Sequence, residues 1–205
     1  MTAIIDYGVG NLFSLLSSFN KIGEEAVVTK DPEILRNADR IILPGVGAYR
    51  DAINKLRESG LVPVLMEQID AGKPVMGICL GMQLLFDKSF EYGEYEGLGL
   101  IKGNVIPIDS KDGKLKVPHM GWNGLSFKNG THPLFKYIKN GDCVYFVHSY
   151  YAACDAKDII AACEYGDELT AAVARANVYG CQFHPEKSGT VGLNILKAFC
   201  EVKAC

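Results

Sequence analysis

A cysteine flanked by glycines stands between an apolar run and a helix-like pattern, in the segment Gly77-Ile78-Cys79-Leu80-Gly81. Residues 74–76 form the apolar run, and residues 82–86 form the helix-like pattern. A nucleophile on a sharp strand-to-helix turn needs small neighbours because the backbone is crowded there, as in the Gly-x-Ser-x-Gly elbow. The same turn places the sulfur at a helix N-terminus, which favours a thiolate. The pattern therefore predicts that Cys79 is a nucleophile that forms a covalent intermediate.

His184 is the histidine whose context best suits a base for that thiol. It ends an apolar strand pattern, as Cys79 does, and Glu186 follows two residues later across a proline. A carboxylate in that position can hold the imidazole tautomer and stabilise the imidazolium. Alone, His184 would be interpreted as a hydrogen-bonded histidine at a strand end. Together with the elbow, the pattern predicts a Cys79–His184–Glu186 triad, and the other three histidines, 119, 132 and 148, are assigned structural roles.

An acyl-transfer cysteine also needs donors for the oxyanion that develops on the substrate. The elbow supplies the N–H of Leu80. The segment Pro44-Gly45-Val46-Gly47 follows another apolar strand, and its glycines allow backbone conformations that other residues resist. We expect the N–H of Val46 to be the second donor, and a plain turn is the alternative for this segment.

Composition limits the class of protein. The chain has 205 residues, 48% of them hydrophobic, 22% charged and a net charge of −3, so we expect one globular domain over 1–205 without a nucleic-acid or membrane partner. The first residues lack the features of a signal peptide, and no apolar run is long enough to span a membrane. Seven cysteines without a Cys-x-x-Cys pair argue against a disulfide framework or a zinc site. They indicate a reducing, cytoplasmic setting.

Strands and helices alternate through the first half of the chain. Strands are predicted at 3–6, 26–29, 40–43 and 75–78, and helices at 11–22, from 31 onward (with Asp31 as N-cap), at 48–59 and at 61–71. The second half is rich in strands, predicted at 104–108, 124–127, 143–147, 159–163, 170–174 and 178–183, before a last helix at 189–202. This order predicts an α/β fold with a mostly parallel, flavodoxin-like central sheet flanked by helices and an antiparallel C-terminal portion. Cys79 and residues 44–47 both lie at carboxyl ends of strands, where such sheets bind ligands.

Three motifs, in this order along the chain, resemble those of the class I (triad) glutamine amidotransferases. They are Pro-Gly-Val-Gly at 44–47, Gly-Ile-Cys-Leu-Gly-Met-Gln at 77–83 and Gln-Phe-His-Pro-Glu at 182–186. The resemblance covers nearly the whole chain. Segments 6–12, 118–123 and 146–151 are similar to those of the glutaminase subunits that serve histidine biosynthesis.

The resemblance implies a role for each matched residue. Cys79 would attack the side-chain amide of glutamine to form a thioester, with His184 as acid and base, Glu186 as its orienter, and the N–H groups of Leu80 and Val46 as the oxyanion hole. The positions that match residues gripping glutamine are Gly47, Gln83, Glu91, Ser149 and Tyr150. A surface position for Gln83 and a solvated loop position for Glu91 are the alternatives.

The resemblance also implies a partner and excludes a cofactor. Ammonia would pass to a separate (β/α)8 cyclase subunit in a heterodimer, with no cofactor and no metal. The residues expected at that interface are Asn11, Trp122, Asn123, Tyr145 and Lys187. A lone tryptophan is more often a core residue, and a lysine beside the triad is more often solvated.

Two other functions remain open at this point. One is another triad amidotransferase, such as the glutaminase of pyridoxal phosphate synthesis. The other is a catalytically idle flavodoxin-like module that binds an anion at the Cys79 loop. A cysteine peptidase or a chaperone-like fold would lack the segment at 182–186.

Overall fold

A computed structural model describes residues 1–202, so Cys205 lies outside the described residues. In the first half, the elements are β1 (Thr2–Ile5), α1 (Leu12–Lys21), β2 (Ala26–Thr29), α2 (Pro32–Asn37), β3 (Arg40–Leu43), α3 (Tyr49–Glu58), α4 (Val62–Asp70), β4 (Val75–Ile78) and α5 (Leu80–Gln83). Each was predicted with ends within two residues of those observed, apart from α5 and from α2, for which only the start was predicted. Asp31 caps α2 as expected, because its side chain accepts a hydrogen bond from the N–H of Glu33.

The second half contains mostly strands. They are β5 (Phe86–Ser89), β6 (Tyr95–Glu96), β7 (Ile101–Pro107), β8 (His119–Gly124), β9 (Ser126–Phe127), β10 (Cys143–His148), β11 (Tyr150–Cys154), β12 (Ile159–Tyr165), β13 (Asp167–Arg175) and β14 (Val178–Cys181), followed by helix α6 (Gly189–Cys200).

The central sheet has the strand order β2-β1-β3-β4-β14-β13-β12-β9. Strands β2, β1, β3, β4 and β14 are parallel, and β13, β12 and β9 add to them antiparallel. This mixed sheet confirms the predicted fold class. A four-stranded sheet, β11-β7-β5-β6, and a two-stranded ribbon, β8–β10, stand beside it.

Four strands were not predicted, and two predictions around them were wrong. The helical pattern expected at 82–86 ends at Gln83, and Phe86 already begins β5. Residues 118–123, where no strand was predicted, contain β8, and the strand expected at 124–127 is shortened to Ser126–Phe127. Strand β8 contains two glycines and no β-branched residue, so it has little intrinsic strand signal. Its ladder with β10 gives it its conformation.

The central sheet is buried on both faces, which explains the continuous apolar runs of β1, β3 and β4. In β1, Ile4 belongs to one core with side chains of α1 and α6, whereas Ile5 belongs to a second core with α2, α3 and α4. The carboxyl ends of β3, β4 and β14 then meet at one edge of the sheet. The loop at 44–47, Cys79 and His184 follow these three ends. Among residues 1–202, no helix has the length and hydropathy needed to cross a membrane.

Candidate active site

Cys79 stands on a strained turn between β4 and α5, with φ of 54° and ψ of −112°. A left-handed φ is costly for a residue with a side chain and marks a constrained position. The flanking glycines allow this turn by close backbone approach. A Cβ on Gly77 would lie 2.6 Å from the carbonyl oxygen of Gly81, and a Cβ on Gly81 would overlap the carbonyl oxygen of Leu43. The elbow predicted from the sequence is therefore present.

Helix α5, which follows the elbow, has only four residues. A helix this short has a small dipole, so the sequence-based argument that a helix N-terminus favours the thiolate contributes little here. Positive charge beside the sulfur comes from His184 instead. Its imidazole is hydrogen-bonded to Cys79.

The side chains of His184 and Glu186 form a buried pair. Nδ1 of His184 lies 2.8 Å from Oε1 of Glu186, and the two side chains are 2% and 1% exposed. A carboxylate accepts, so Nδ1 carries the proton and Nε2 is left for the sulfur. Burial opposes the charged imidazole, but hydrogen bonds to Cys79 and Glu186 outweigh it and raise the pKa of His184 to about 9. The predicted triad residues thus lie together, and at neutral pH the imidazole is protonated.

Backbone and side-chain hydrogen bonds hold His184 in place. Its N–H donates to the carbonyl of Tyr145 at 2.9 Å, and its carbonyl accepts from the hydroxyl of Ser188 at 2.7 Å. Pro185 then begins a short 3-10 turn that brings Glu186 back toward the ring. The geometry of the base therefore rests on contacts with β10 as well as on its own strand.

The two expected oxyanion donors belong to residues that border one cavity. Val46 and Leu80 both line it, and neither N–H has a hydrogen-bond partner among residues 1–202. A Cβ on Gly45 would lie 2.5 Å from the backbone nitrogen of Gly81, so the loop and the elbow touch backbone to backbone. The hydroxyl of Tyr7 donates to the carbonyl of Pro44 at 2.6 Å and anchors the start of the loop. Two N–H groups without partners, on residues that line the cavity of the nucleophile, are consistent with the expected oxyanion hole.

The nucleophile opens into a cavity of about 440 Å³, within the range of about 300–1,000 Å³ for small-molecule sites. All five expected substrate-binding residues line it. So do four residues that the sequence did not single out. The lining residues are Val46, Gly47, Cys79, Leu80, Gln83, Glu91, Tyr92, Pro118, Val147, His148, Ser149, Tyr150, His184 and Lys187.

Gln83 and Glu91 are both held by the protein rather than solvated. Nε2 of Gln83 donates to the carbonyl of Tyr150 at 2.9 Å and to Oε1 of Gln182 at 3.0 Å. The half-buried carboxylate of Glu91 accepts from the N–H of Tyr49 at 2.7 Å, and burial raises its pKa. The surface alternative for Gln83 is therefore wrong, and Glu91 lies in a loop as the alternative had it but is half-buried rather than solvated. Gln182 also approaches the nucleophile, with Nε2 3.8 Å from the sulfur of Cys79.

Tyr92 and His148 are the most informative of the missed residues. Tyr92 has a left-handed φ of 52°, is 87% exposed and meets Tyr150 edge-on, with ring centroids 6.2 Å apart. Its loop position gave no signal in the sequence. His148 directly precedes the predicted pair at 149–150, and that adjacency is the one signal that could have drawn attention to it.

Three of the expected interface residues form a surface beside the cavity. Trp122 is 56% exposed and packs edge-on against Tyr145, with centroids 6.1 Å apart. The ammonium of Lys187 lies 6.0 Å from the centroid of the Tyr145 ring, and Lys187 also lines the cavity. Trp122 is therefore not a core residue. Helix α1 packs against the turn that contains Lys187 and presents the exposed ring of Phe13.

The two expected interface asparagines are placed differently. Asn11 precedes α1 and makes no side-chain cap bond. The amide of Asn123 points inward, donating to the carbonyl of Glu164 at 2.8 Å and lying 3.3 Å from Nε2 of His119. Asn123 thus lies on β8, the strand that contains Trp122, but its side chain is engaged inside the protein.

Comparisons with known proteins agree with this site. The family described as glutamine amidotransferase class-I matches residues 3–202. A protein of Caldanaerobacter subterraneus subsp. tengcongensis named imidazole glycerol phosphate synthase subunit HisH is 50% identical, with 100% of both chains covered. The protein of that name from Geobacter sulfurreducens is 51% identical, with 98% of both covered.

Among solved structures, one described as a glutamine amidotransferase has a TM-score of 0.74 at 19% identity and covers 97% of both chains. PurLQS from Thermotoga maritima has a TM-score of 0.73 at 21% identity, covering 97% of this chain and 96% of that one. At these identities the two structures indicate the fold alone.

Proposed function

The chain belongs to the class-I glutamine amidotransferase family, and we propose that it is the glutaminase subunit of an imidazole glycerol phosphate synthase. It hydrolyses L-glutamine to glutamate and delivers the ammonia to a (β/α)8 cyclase subunit in the cytoplasm, for histidine biosynthesis. The full-length relatives at about half identity support this choice over the glutaminase of pyridoxal phosphate synthesis. Six unpaired cysteines within residues 1–202 are consistent with a reducing compartment.

The first half of the reaction is acyl transfer to Cys79. Its thiolate attacks the side-chain carbonyl carbon of glutamine, and the carbonyl oxygen becomes an oxyanion held by the N–H groups of Leu80 and Val46. The His184 imidazolium gives its proton to the amide nitrogen, which leaves as ammonia. A γ-glutamyl thioester and a neutral imidazole remain.

The second half reverses these roles with water in place of ammonia. Neutral His184 removes a proton from a water molecule as its oxygen attacks the thioester. The second oxyanion collapses, expels the Cys79 thiolate and releases glutamate after loss of the acid proton. Glu186 keeps the imidazole in one tautomer and stabilises its charge through both steps.

The cavity contains groups suited to the two charges at the far end of glutamine. The Glu91 carboxylate complements the α-ammonium group, and it is already held in place by the N–H of Tyr49. Gln83, Ser149 and Tyr150 also line the cavity and would hold the α-carboxylate end of the substrate. Gly47 has a φ of 89° and leaves room beside the loop that contains Val46.

The observation that supports the proposal most is the single cavity that joins the catalytic groups to an exposed aromatic surface. Cys79, the unpaired donors of Val46 and Leu80, and His184 line it together with Lys187, which also packs on Tyr145. Exposed aromatic and basic side chains are typical anchors of protein interfaces. An ammonia-accepting subunit placed here would cover the reaction as it proceeds.

The proposal is tested by measuring glutamine hydrolysis with and without the cyclase subunit and its nucleotide substrate. We expect weak hydrolysis by the subunit alone and strong stimulation by the partner. Cys79→Ala should abolish glutamine-dependent synthesis and leave ammonia-dependent synthesis by the complex intact. Cys143→Ala, which removes an exposed cysteine away from the cavity, is the matched control.

Three results would count against the proposal. High hydrolysis without any partner would refute the coupling to a cyclase. Loss of both glutamine- and ammonia-dependent synthesis in Cys79→Ala would mean that this cysteine is structural. Stimulation by a pyridoxal phosphate synthase barrel instead of the cyclase would favour the alternative glutaminase.

A further inference from the structure

Two buried histidines outside the triad connect β8 to the cavity that contains the nucleophile. His119 in β8 and His148 in β10 are directly paired in the ribbon, and they are 3% and 6% exposed. Nδ1 of His119 lies 3.0 Å from Nε2 of His148. His148 also lines the cavity. Neither ring has a part in the chemistry proposed above.

The hydrogen bonds around His148 determine its tautomer. Nδ1 lies 2.9 Å from the carbonyl oxygen of Tyr150, which can only accept, so Nδ1–H is the donor. Burial lowers the pKa of His148 to about 4, and the ring is neutral at physiological pH. Its Nε2 therefore accepts, and the donor must be Nδ1–H of His119.

The same reasoning gives the direction of the hydrogen bond between Asn123 and His119. With Nδ1 of His119 protonated and the pKa of this ring also lowered by burial, Nε2 of His119 is an acceptor. It faces Nδ2 of Asn123 at 3.3 Å. The N–H of Gly124 donates to Oδ1 of Asn123 at 2.8 Å and fixes the orientation of that amide. Hydrogen bonds thus run in one direction from Asn123 through both histidines to Tyr150.

At the cavity end, the carbonyl of Tyr150 is shared. It accepts from His148 and from Nε2 of Gln83, which also bonds Gln182, and Gln182 approaches the sulfur of Cys79. A shift of this one peptide group would change the wall of the cavity and the side chains next to the nucleophile. The position of the 149–150 backbone is therefore held jointly by the two histidines and by the residues of the site.

At the other end of these hydrogen bonds, the alternation of side chains along β8 places exposed residues next to His119 and Asn123. Met120 and Trp122 point outward and are 60% and 56% exposed, whereas His119 and Asn123 point inward from the same strand. The ring of His119 is stacked between Phe146 and Tyr165, with centroids 4.7 Å and 4.0 Å away. These contacts hold the His119 ring in place, so a displacement of β8 would be passed on to His148 through the hydrogen bond between the two rings.

We propose that Asn123, His119 and His148 are positioning residues for glutamine. They fix the 149–150 backbone, and they transmit to the cavity the binding of a partner on Met120 and Trp122. The inference rests on the proposed function, because its partner and its substrate are those of a cyclase-coupled glutaminase. It adds a specific connection through side chains that do not touch the substrate's reacting atoms.

Two substitutions of His119 separate the hydrogen bond from the packing. His119→Phe keeps a ring between Phe146 and Tyr165 but removes the donor to His148. His119→Asn keeps a donor near the position of Nδ1 but removes the stacked ring. The assay is glutamine hydrolysis by the assembled heterodimer with the nucleotide bound, measured as KM and kcat, with ammonia-dependent synthesis as the check on assembly.

The phenylalanine variant should raise the KM for glutamine about five- to tenfold and reduce the stimulation by the partner, because one net hydrogen bond at the cavity wall is lost. The asparagine variant should keep KM within about twofold of the native value. Ammonia-dependent synthesis should be unchanged in both. Native KM in the phenylalanine variant, or a larger defect in the asparagine variant, would overturn the proposal.

A measurement on the unmodified protein keeps the proposal testable if a variant fails to fold. Long-range proton–nitrogen NMR spectra should show both His119 and His148 neutral with the proton on Nδ1 at pH 7. A proton on Nε2 of either ring would break the chain and overturn the inference. If the native heterodimer fails to hydrolyse glutamine while the tautomers are as stated, the proposed function is what fails.

Discussion

Replacement of Glu186 by glutamine should move the alkaline limb of glutaminase activity to lower pH. The imidazolium of His184 is needed to protonate the departing ammonia, and its pKa of about 9 depends on hydrogen bonds to Cys79 and Glu186 against the cost of burial. A glutamine oxygen can still accept from Nδ1, so the ring keeps its orientation while the negative charge is lost. Because the charged imidazole is stabilised less, its pKa must fall.

The size of the change in the pKa of His184 follows from the interactions that raise it and the burial that lowers it. Burial lowers the pKa of His184, but the interactions with Cys79 and with Glu186 outweigh burial and raise this pKa from the usual 6.5 to about 9, so removing the Glu186 charge should lower it by about one unit. At pH 9 the protonated fraction would fall from about one half to about one tenth, roughly fivefold. On the plateau, kcat should fall by at least about tenfold because the imidazolium is less stabilised in the transition state.

The assay is the pH dependence of kcat/KM for glutamine in the heterodimer between about pH 6 and 10. Glu94→Gln, which neutralises an exposed carboxylate paired with Lys88, is the control and should leave the profile unchanged. An alkaline limb at the native position in Glu186→Gln would refute the claim that the buried carboxylate holds the proton on His184.

Three further substitutions test other parts of the site. Gly81→Ala should abolish hydrolysis and lower the free energy of unfolding by about 1–3 kcal/mol, because its Cβ overlaps the carbonyl oxygen of Leu43; native melting with native activity would contradict the packing described. Glu91→Gln should raise the KM for glutamine about tenfold or more with little change in kcat, since the proposed partner of the α-ammonium group loses its charge. A defect in kcat at native KM would assign Glu91 another role. Trp122→Ala should weaken binding of the cyclase, measured by calorimetry, about thirtyfold or more. The melting temperature should be nearly unchanged because the ring is over half exposed. Native affinity would mean that Trp122 is not part of the interface.

The parallel half of the fold and the catalytic edge could be predicted from the sequence. Apolar runs of four residues bounded by glycine, proline or an N-cap produced β1, β2, β3 and β4 in their observed places. Parallel strands bring their carboxyl ends to one edge, so the loop at 44–47, Cys79 and His184 had to approach one another. Their meeting follows from topology, without knowledge of the side-chain packing.

The antiparallel half was harder because its strands depend on their neighbours. Strand β8 has no apolar alternation, since its inward positions are His119, Gly121 and Asn123 and its outward ones include Met120 and Trp122. No strand was predicted at these residues, so nothing in the sequence indicated that the Asn123 side chain would point into the protein. The histidine chain depends on this alternation, and so it became visible only in the structure.

The contact among Gly45, Gly77 and Gly81 sets a limit on redesign of this site. Two segments that are distant in sequence touch mainly through main-chain atoms, which cannot change rotamer to accommodate a misplaced backbone. Grafting the elbow onto another doubly wound sheet without the companion loop would leave the nucleophile with one oxyanion donor. The smallest portable unit of this catalyst is therefore a pair of neighbouring strand ends with all three glycines retained.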